Sequence, residues 1–141
     1  EEPHMVLFHA LTLLREHRGD GHVAVLIGAG LSGIEALVTH TASGRGFTEN
    51  AAQASRGYSG EEWQTAVDGL AERGLMSADG QLNDAGNDLR RALERATDKA
   101  GVAPWAHLGE KATLRLGELG RPLVATVNAN GAFPDGVFAT R

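Results

Sequence analysis

Cysteine is absent from this chain, and that absence excludes several classes of function. The 141 residues offer no thiol for a disulfide, no thiolate ligand for zinc and no cysteine nucleophile. Excess positive charge is absent as well, because 18 acidic residues outnumber 13 lysines and arginines and leave a formal charge of -5. Sequence-independent binding to nucleic acid relies on clustered basic side chains. The composition therefore argues against it.

Long apolar runs are also missing. The longest is interrupted by Gly28, Gly30 and Gly33 and ends at Glu35, short of the length that spans a bilayer. No basic stretch precedes an apolar one at the N-terminus, so we expect no signal peptide, no membrane contact and a cytoplasmic location. The hydrophobic fraction of 42% is typical of a globular protein. The length suits a single domain over residues 1–141.

Apolar residues at helical spacing predict a mainly α-helical fold. A first helix is expected from about Pro3 to Glu16, and a second begins after Ser32, whose spacing to Glu35 fits a capping box. The apolar run at residues 23–27 between them is ambiguous, because short runs of this kind occur in strands and in buried helices.

The middle of the chain predicts the helix order of a winged helix-turn-helix, with its core at residues 47–100. Thr48 begins a short helix, and a second capping box at Ser59 and Glu62 begins an amphipathic one. A tight β-hairpin is then expected around residues 78–80, followed by a long helix. A last helix is expected from about Pro104 to Val127, so long helices flank the core.

Two families resemble this pattern. The segment ERGLMSADGQLNDAG at residues 72–86 is similar to the recognition-helix end, wing and following helix of MarR-like regulators. Three further segments resemble the SalK-like helix-turn-helix family of actinobacteria: LREHRGDGHVA at 14–24, SRGYSGEEW at 55–63 and APW at 103–105. The resemblance implies a MarR-like winged-helix fold, and a chain that is the C-terminal half of a longer protein. It transfers no catalytic residue.

The charged, glycine-broken segment after the first helix is the candidate ligand-binding site. It contains Arg15, His17, Arg18, Asp20 and His22. Histidines with a carboxylate suit a transition metal or acid–base chemistry, and arginines with glycine amides suit an anion. The metal interpretation is weak because the two histidines are not at helical zinc-site spacing. The structural alternative is a helix C-terminus, with its dipole complemented by the basic residues and Gly19 as its cap.

A second glycine motif at residues 28–33 resembles the turn of a dinucleotide-binding fold. That fold needs a strand before the turn and a second strand with an acidic residue after the helix. Residues 43–50 supply no such strand, so we expect two helices joined at glycines and no cofactor.

The expected recognition helix, from Ser59 to Arg73, carries too much negative charge for DNA. Its outward positions are Glu61, Gln64, Thr65, Asp68 and Glu72. Phosphates would be repelled by these carboxylates, so nucleic-acid binding by this half alone is not expected.

Three functions remain open at this stage. The leading one is a winged-helix module for sensing a small or anionic ligand, or for protein association, with the N-terminal half or a second copy as partner. The second is a MarR-like DNA-binding transcription regulator. The third is an enzyme half-domain of secondary metabolism that uses His17, Asp20 and His22.

Overall fold

Seven α-helices make up most of residues 2–139, the part of the chain that the computed structural model describes. In chain order they are α1 (Pro3–Gly28), α2 (Gly33–Ala42), α3 (Glu49–Arg56), α4 (Gly60–Glu72), α5 (Asp84–Gly101), α6 (Ala103–Leu108) and α7 (Glu110–Ala129). The predicted mainly helical class is confirmed.

The helices fall into two compact units. The first unit contains residues 2–28 and Leu93–Ala132, and so holds α1, the end of α5, α6 and α7. The second unit contains Ala29–Ala92 and residues 133–139, and so holds α2, α3, α4 and the start of α5.

Helix α1 continues through the segment that was expected to end it. The predicted end near Glu16, with Gly19 as its cap, is wrong, because the helix runs on to Gly28. A Cβ added at Gly21 would meet the Cβ of Ala100 in α5 at 2.9 Å. Glycine at this position therefore permits close contact between α1 and α5. That contact offsets the roughly 1 kcal/mol by which a helical glycine is disfavoured against alanine.

Both predicted capping boxes are present. The Ser32 hydroxyl accepts from the Glu35 amide at 3.3 Å, and the Glu35 carboxylate accepts from the Ser32 amide at 2.8 Å. Ser59 and Glu62 repeat this pair of bonds at the start of α4. Each box satisfies two amides that a helix N-terminus otherwise leaves without a partner.

The predicted hairpin is reduced to a single antiparallel bridge between Met76 and Leu82. Within it the Ser77 amide donates to the Gln81 carbonyl at 2.9 Å. No strand is formed in residues 2–139, so the β-hairpin wing is not present as a regular element. One more bridge, which the sequence did not predict, joins Phe47 to Phe138.

The predicted last helix is two helices. Gly109 has a φ of 83°, a left-handed value that favours glycine, and it separates α6 from α7. The single helix expected from Pro104 to Val127 is therefore wrong at this one position.

Burial differs strongly between the two units. In the second unit α2 and α4 pack together, and α4 buries Trp63, Ala66, Val67 and Leu70. In the first unit, within the described part of the chain, α1, α6 and α7 contain no buried residue. Its buried side chains lie on α5 at Leu93 and Thr97.

Candidate functional site

The five predicted ligand-binding residues lie on two faces of α1. Arg18 and His22 follow Arg15 by three and seven positions, so these three share one face of the helix. His17 and Asp20 are exposed on the opposite side. The structure therefore does not bring all five side chains together, because the helix that was expected to stop at Gly19 continues.

The shared face of α1 contacts α5 within the first unit. Arg18 Nη2 lies 3.2 Å from Glu94 Oε2 and 3.2 Å from Asp98 Oδ1. His22 Nδ1 lies 2.9 Å from the hydroxyl of the buried Thr97. These contacts hold two helices together, and the two side chains have this structural role whether or not a ligand also binds.

A metal centre has no support from the geometry. Arg15 pairs with the neighbouring Glu16, and across residues 2–139 no three histidine or carboxylate side chains are grouped to hold a metal ion. Binding of an anion or small molecule by the five residues stays a prediction.

The glycine motif at residues 28–33 joins two helices. Its preceding segment is the end of α1 and not a strand, and α2 begins at Gly33. The dinucleotide alternative therefore lacks its first strand, and the preferred interpretation of two helices joined at glycines is confirmed.

Helices α3 and α4 occupy the positions that the sequence predicts for the helix-turn-helix pair. Gly57 ends α3 in the left-handed conformation with a φ of 72°, and Ser59 caps α4 two residues later. The side of α4 away from the core exposes Glu61, Gln64, Thr65, Asp68 and Glu72. All the outward positions predicted for this helix are thus exposed.

Arg73 ends α4 but does not offset this negative charge. Its Nη1 donates to Glu35 Oε1 at 2.8 Å and to the Gly30 carbonyl at 3.3 Å. Burial raises the pKa of the Glu35 carboxyl, but hydrogen bonds from Ser32 and the Arg73 charge outweigh burial and lower that pKa below its ordinary value. The guanidinium is therefore committed to an ion pair within the second unit.

An open groove of about 480 Å³ lies between α2 and α4. Its lining includes Tyr58 and Thr65 together with the carboxylates of Glu35, Glu61 and Glu62. Glu35 is paired with Arg73, and Glu61 and Glu62 leave the groove with negative charge that repels phosphate groups.

The first unit exposes an unusual amount of apolar surface. On α1 the side chains of Met5, Phe8 and Leu13 are 57%, 69% and 57% exposed. On α7 the exposed apolar side chains are Leu114, Leu119, Leu123, Val124 and Val127. We call the α1 and α7 residues named here the apolar surface.

Helix α1 is not a membrane span by itself. Across residues 2–139 no single helix is long and apolar enough to cross a bilayer, and α1 meets the length and composition only when taken with α2 as a broken pair.

Sequence reasoning missed the contact of the C-terminal segment, residues 133–139, with the residues before α3. Phe47 and Phe138 stack with ring centroids 5.4 Å apart. The available signal was two phenylalanines on either side of Pro134-Asp135-Gly136, a turn-forming sequence.

The sequence model of a family described as a helix-turn-helix family matches residues 1–134. No curated protein and no solved structure matches the chain. A helix-turn-helix domain is associated with DNA binding or with regulation.

Proposed function

Because the chain belongs to this helix-turn-helix family, we propose that it is an association module whose apolar surface binds a second copy and whose α4 does not bind DNA alone. Within the family we propose a SalK-like, MarR-like member. The helix order, the turn between α3 and α4 and the Met76–Leu82 bridge support this assignment.

The exposed apolar side chains of α1 and α7 carry the proposal. Residues 3–14 contain no Lys, Arg, Asp or Glu, so most of the first half of α1 is uncharged. A contiguous exposed apolar patch on a globular protein marks an interaction site. Burying such faces against a second copy gains about 25 cal/mol for each Å² of apolar surface removed from water.

The charge on α4 supports the second part of the proposal. Its exposed face carries Glu61, Asp68 and Glu72, and Gln64 donates to Asp68 at 2.8 Å. The commonest base contacts in the major groove come from Arg, Lys, Asn and Gln side chains. The side-chain amide of Gln64 is therefore occupied by a carboxylate.

Light scattering during gel filtration tests the proposed association. The chain is expected to elute as a dimer at about 50 μM, and a Phe8→Glu, Leu123→Glu variant as a monomer, because each substitution places a charge in a desolvated interface. The matched control, Gln64→Glu with Gln81→Glu, adds the same charge to exposed positions of the second unit and should stay dimeric. A wild-type chain that is monomeric at every concentration would contradict self-association, and would leave the N-terminal half of the same protein as the proposed occupant.

A ligand-sensing role is the second candidate. It is supported by Arg15 and Arg18, whose guanidiniums lie on one face of α1 and keep 76% and 47% of their side chains exposed. Two guanidiniums at this spacing suit an anion. The geometry gives no support to an enzyme, since His17 and Asp20 lie across the helix from His22.

A further inference from the structure

The C-terminal segment pairs with a short backbone edge at residues 46–48, immediately before α3. The Thr48 amide donates to the Val137 carbonyl at 2.9 Å, and the Ala139 amide donates to the Gly46 carbonyl at 2.9 Å. Phe47 and Phe138 form the antiparallel bridge between these two bonds. The two hydrogen bonds have the pattern of an antiparallel ladder that is limited to this one bridge.

Aromatic contacts fix the register of this pairing. Phe138 stacks on Phe47 with an interplanar angle of 11°, and Phe133 meets Phe138 edge-on with centroids 4.9 Å apart. Phe138 nevertheless keeps 44% of its surface exposed. The segment is therefore held by a few directional contacts at the surface and not by burial in the core.

Thr48 gives up a helix cap to hold the segment. It has the extended backbone of an N-cap, with φ -64° and ψ 158°, but its side chain makes no cap hydrogen bond. Its hydroxyl donates instead to the Gly136 carbonyl at 3.0 Å. If the segment leaves, the hydroxyl is free to accept from an amide of the first turn of α3. This cap hydrogen bond would offset part of the free-energy cost of releasing the segment.

Side chains outside the C-terminal segment contact residues 46–48. Gly46 has a φ of 73°, and a Cβ there would lie 2.5 Å from His40 Nε2. His40 Nδ1 in turn lies 3.2 Å from Arg90 Nη2. These contacts come from α2 and α5, so they do not depend on the C-terminal segment, and they hold the edge ready for a strand.

We propose that residues 46–48 form a binding site for an extended peptide, and that residues 133–139 are its displaceable occupant. The site selects a strand with an aromatic side chain that stacks on Phe47, a carbonyl just before that residue and an amide just after it. Recognition by strand addition takes its affinity from main-chain hydrogen bonds and its specificity from such side-chain contacts. The source that fits is the same segment of a second copy.

Amide hydrogen exchange on the full chain tests the contact. Phe138→Ala is expected to speed exchange at Thr48 and Ala139 by about tenfold or more, because local opening then costs less. The matched control is Leu108→Ala, which removes an apolar side chain of similar exposure, 43% against 44%, from α6 and should leave both amides unchanged. Should Phe138→Ala lose its helical circular dichroism, Ala139→Pro replaces it, since proline removes only the donor to Gly46.

A labelled peptide of residues 131–139 tests the binding site itself. Full-length Phe138→Ala is expected to bind it saturably, and the wild-type chain about tenfold more weakly, because the wild-type segment competes for the same edge. A peptide with alanine in place of Phe138 should bind neither protein. The proposal is overturned if the two amides exchange equally in variant and wild type, if the peptide fails to bind the variant, or if both proteins bind it equally.

Discussion

Two glycines in the middle of α1 show how one residue type has different roles at neighbouring positions. Gly21 lies against Ala100, whereas a Cβ at Gly19 would meet nothing within 4 Å. Glycine at position 21 allows the contact between α1 and α5. Glycine at position 19 only weakens the helix.

Alanine substitution should therefore have opposite effects at these two sites. Gly19→Ala is expected to raise the free energy of unfolding by up to about 1 kcal/mol, the difference in helix propensity. Gly21→Ala gains the same propensity but places its Cβ 2.9 Å from the Ala100 Cβ, so it should be neutral or destabilising. Urea unfolding of both variants measures the difference. Equal stabilisation by the two substitutions would contradict the packing role of Gly21.

Among single residues, motifs of neighbouring positions were predictable from the sequence, and contacts between distant positions were not. Ser32 with Glu35 was identified as a capping box because the motif needs only two residues three positions apart. The partner of Arg18 was not identified, because Glu94 is 76 positions away and both side chains also suit a solvated face. A candidate site made of such residues cannot be separated from a helix–helix contact without the fold.

At the scale of the helices, one carboxylate adds an ion pair to the packing of α2 against α4. Glu35 closes the capping box of α2 and accepts from Arg73 at the end of α4. Glu62 closes the equivalent box of α4, and hydrogen bonds from the Ser59 amide and hydroxyl lower its pKa. The two boxes differ in the ion pair that only Glu35 makes.

This difference predicts a pH effect. The pKa of Glu35 is lowered in the folded chain, so its stabilisation is present above the unfolded value near 4.5 and is lost as the pH falls through the folded value. Glu35→Gln should cost up to about 1 kcal/mol at pH 7 and nothing once the carboxyl of the wild-type chain is protonated. Thermal unfolding of both proteins from pH 7 to pH 3 measures the difference in stability, which should shrink as the pH falls. Glu62→Gln, which keeps a capping side chain and breaks no ion pair, is the control and should cost less.

The elements that sequence reasoning misjudged are those that tertiary contacts decide. Gly19 is a typical helix cap by local rules, but contact with α5 carries α1 past it. The expected hairpin turn is present, but its two arms form one bridge and no regular strands. A separate bridge, which was not expected, joins Phe47 to Phe138. Nothing near residue 47 in the sequence indicates a partner 91 positions later.

On the scale of the whole molecule, the acidic face of α4 and the apolar surface lie in different units. The second unit carries the acidic face of α4, and the first carries the apolar surface. The net charge of -5 argues against DNA binding by the whole chain, and this stays a prediction. Composition did not indicate that Arg73, the basic residue at the end of α4, is held by Glu35.

Binding to DNA across a salt series tests the charge argument for the whole chain. We expect no binding of a labelled duplex tighter than about 10⁻⁴ M at 150 mM salt, the weak limit of nonspecific binding, and little change at 50 mM. An Asp68→Lys, Glu72→Lys variant is the positive control. It reverses two exposed charges of α4 and should bind more tightly, with a salt slope steeper by roughly 0.9 for each phosphate contacted. Micromolar affinity of the wild-type chain with a steep slope would overturn the proposal that α4 does not bind DNA alone. It would favour the MarR-like transcription regulator, because only phosphate contacts release enough counterions to produce such a slope.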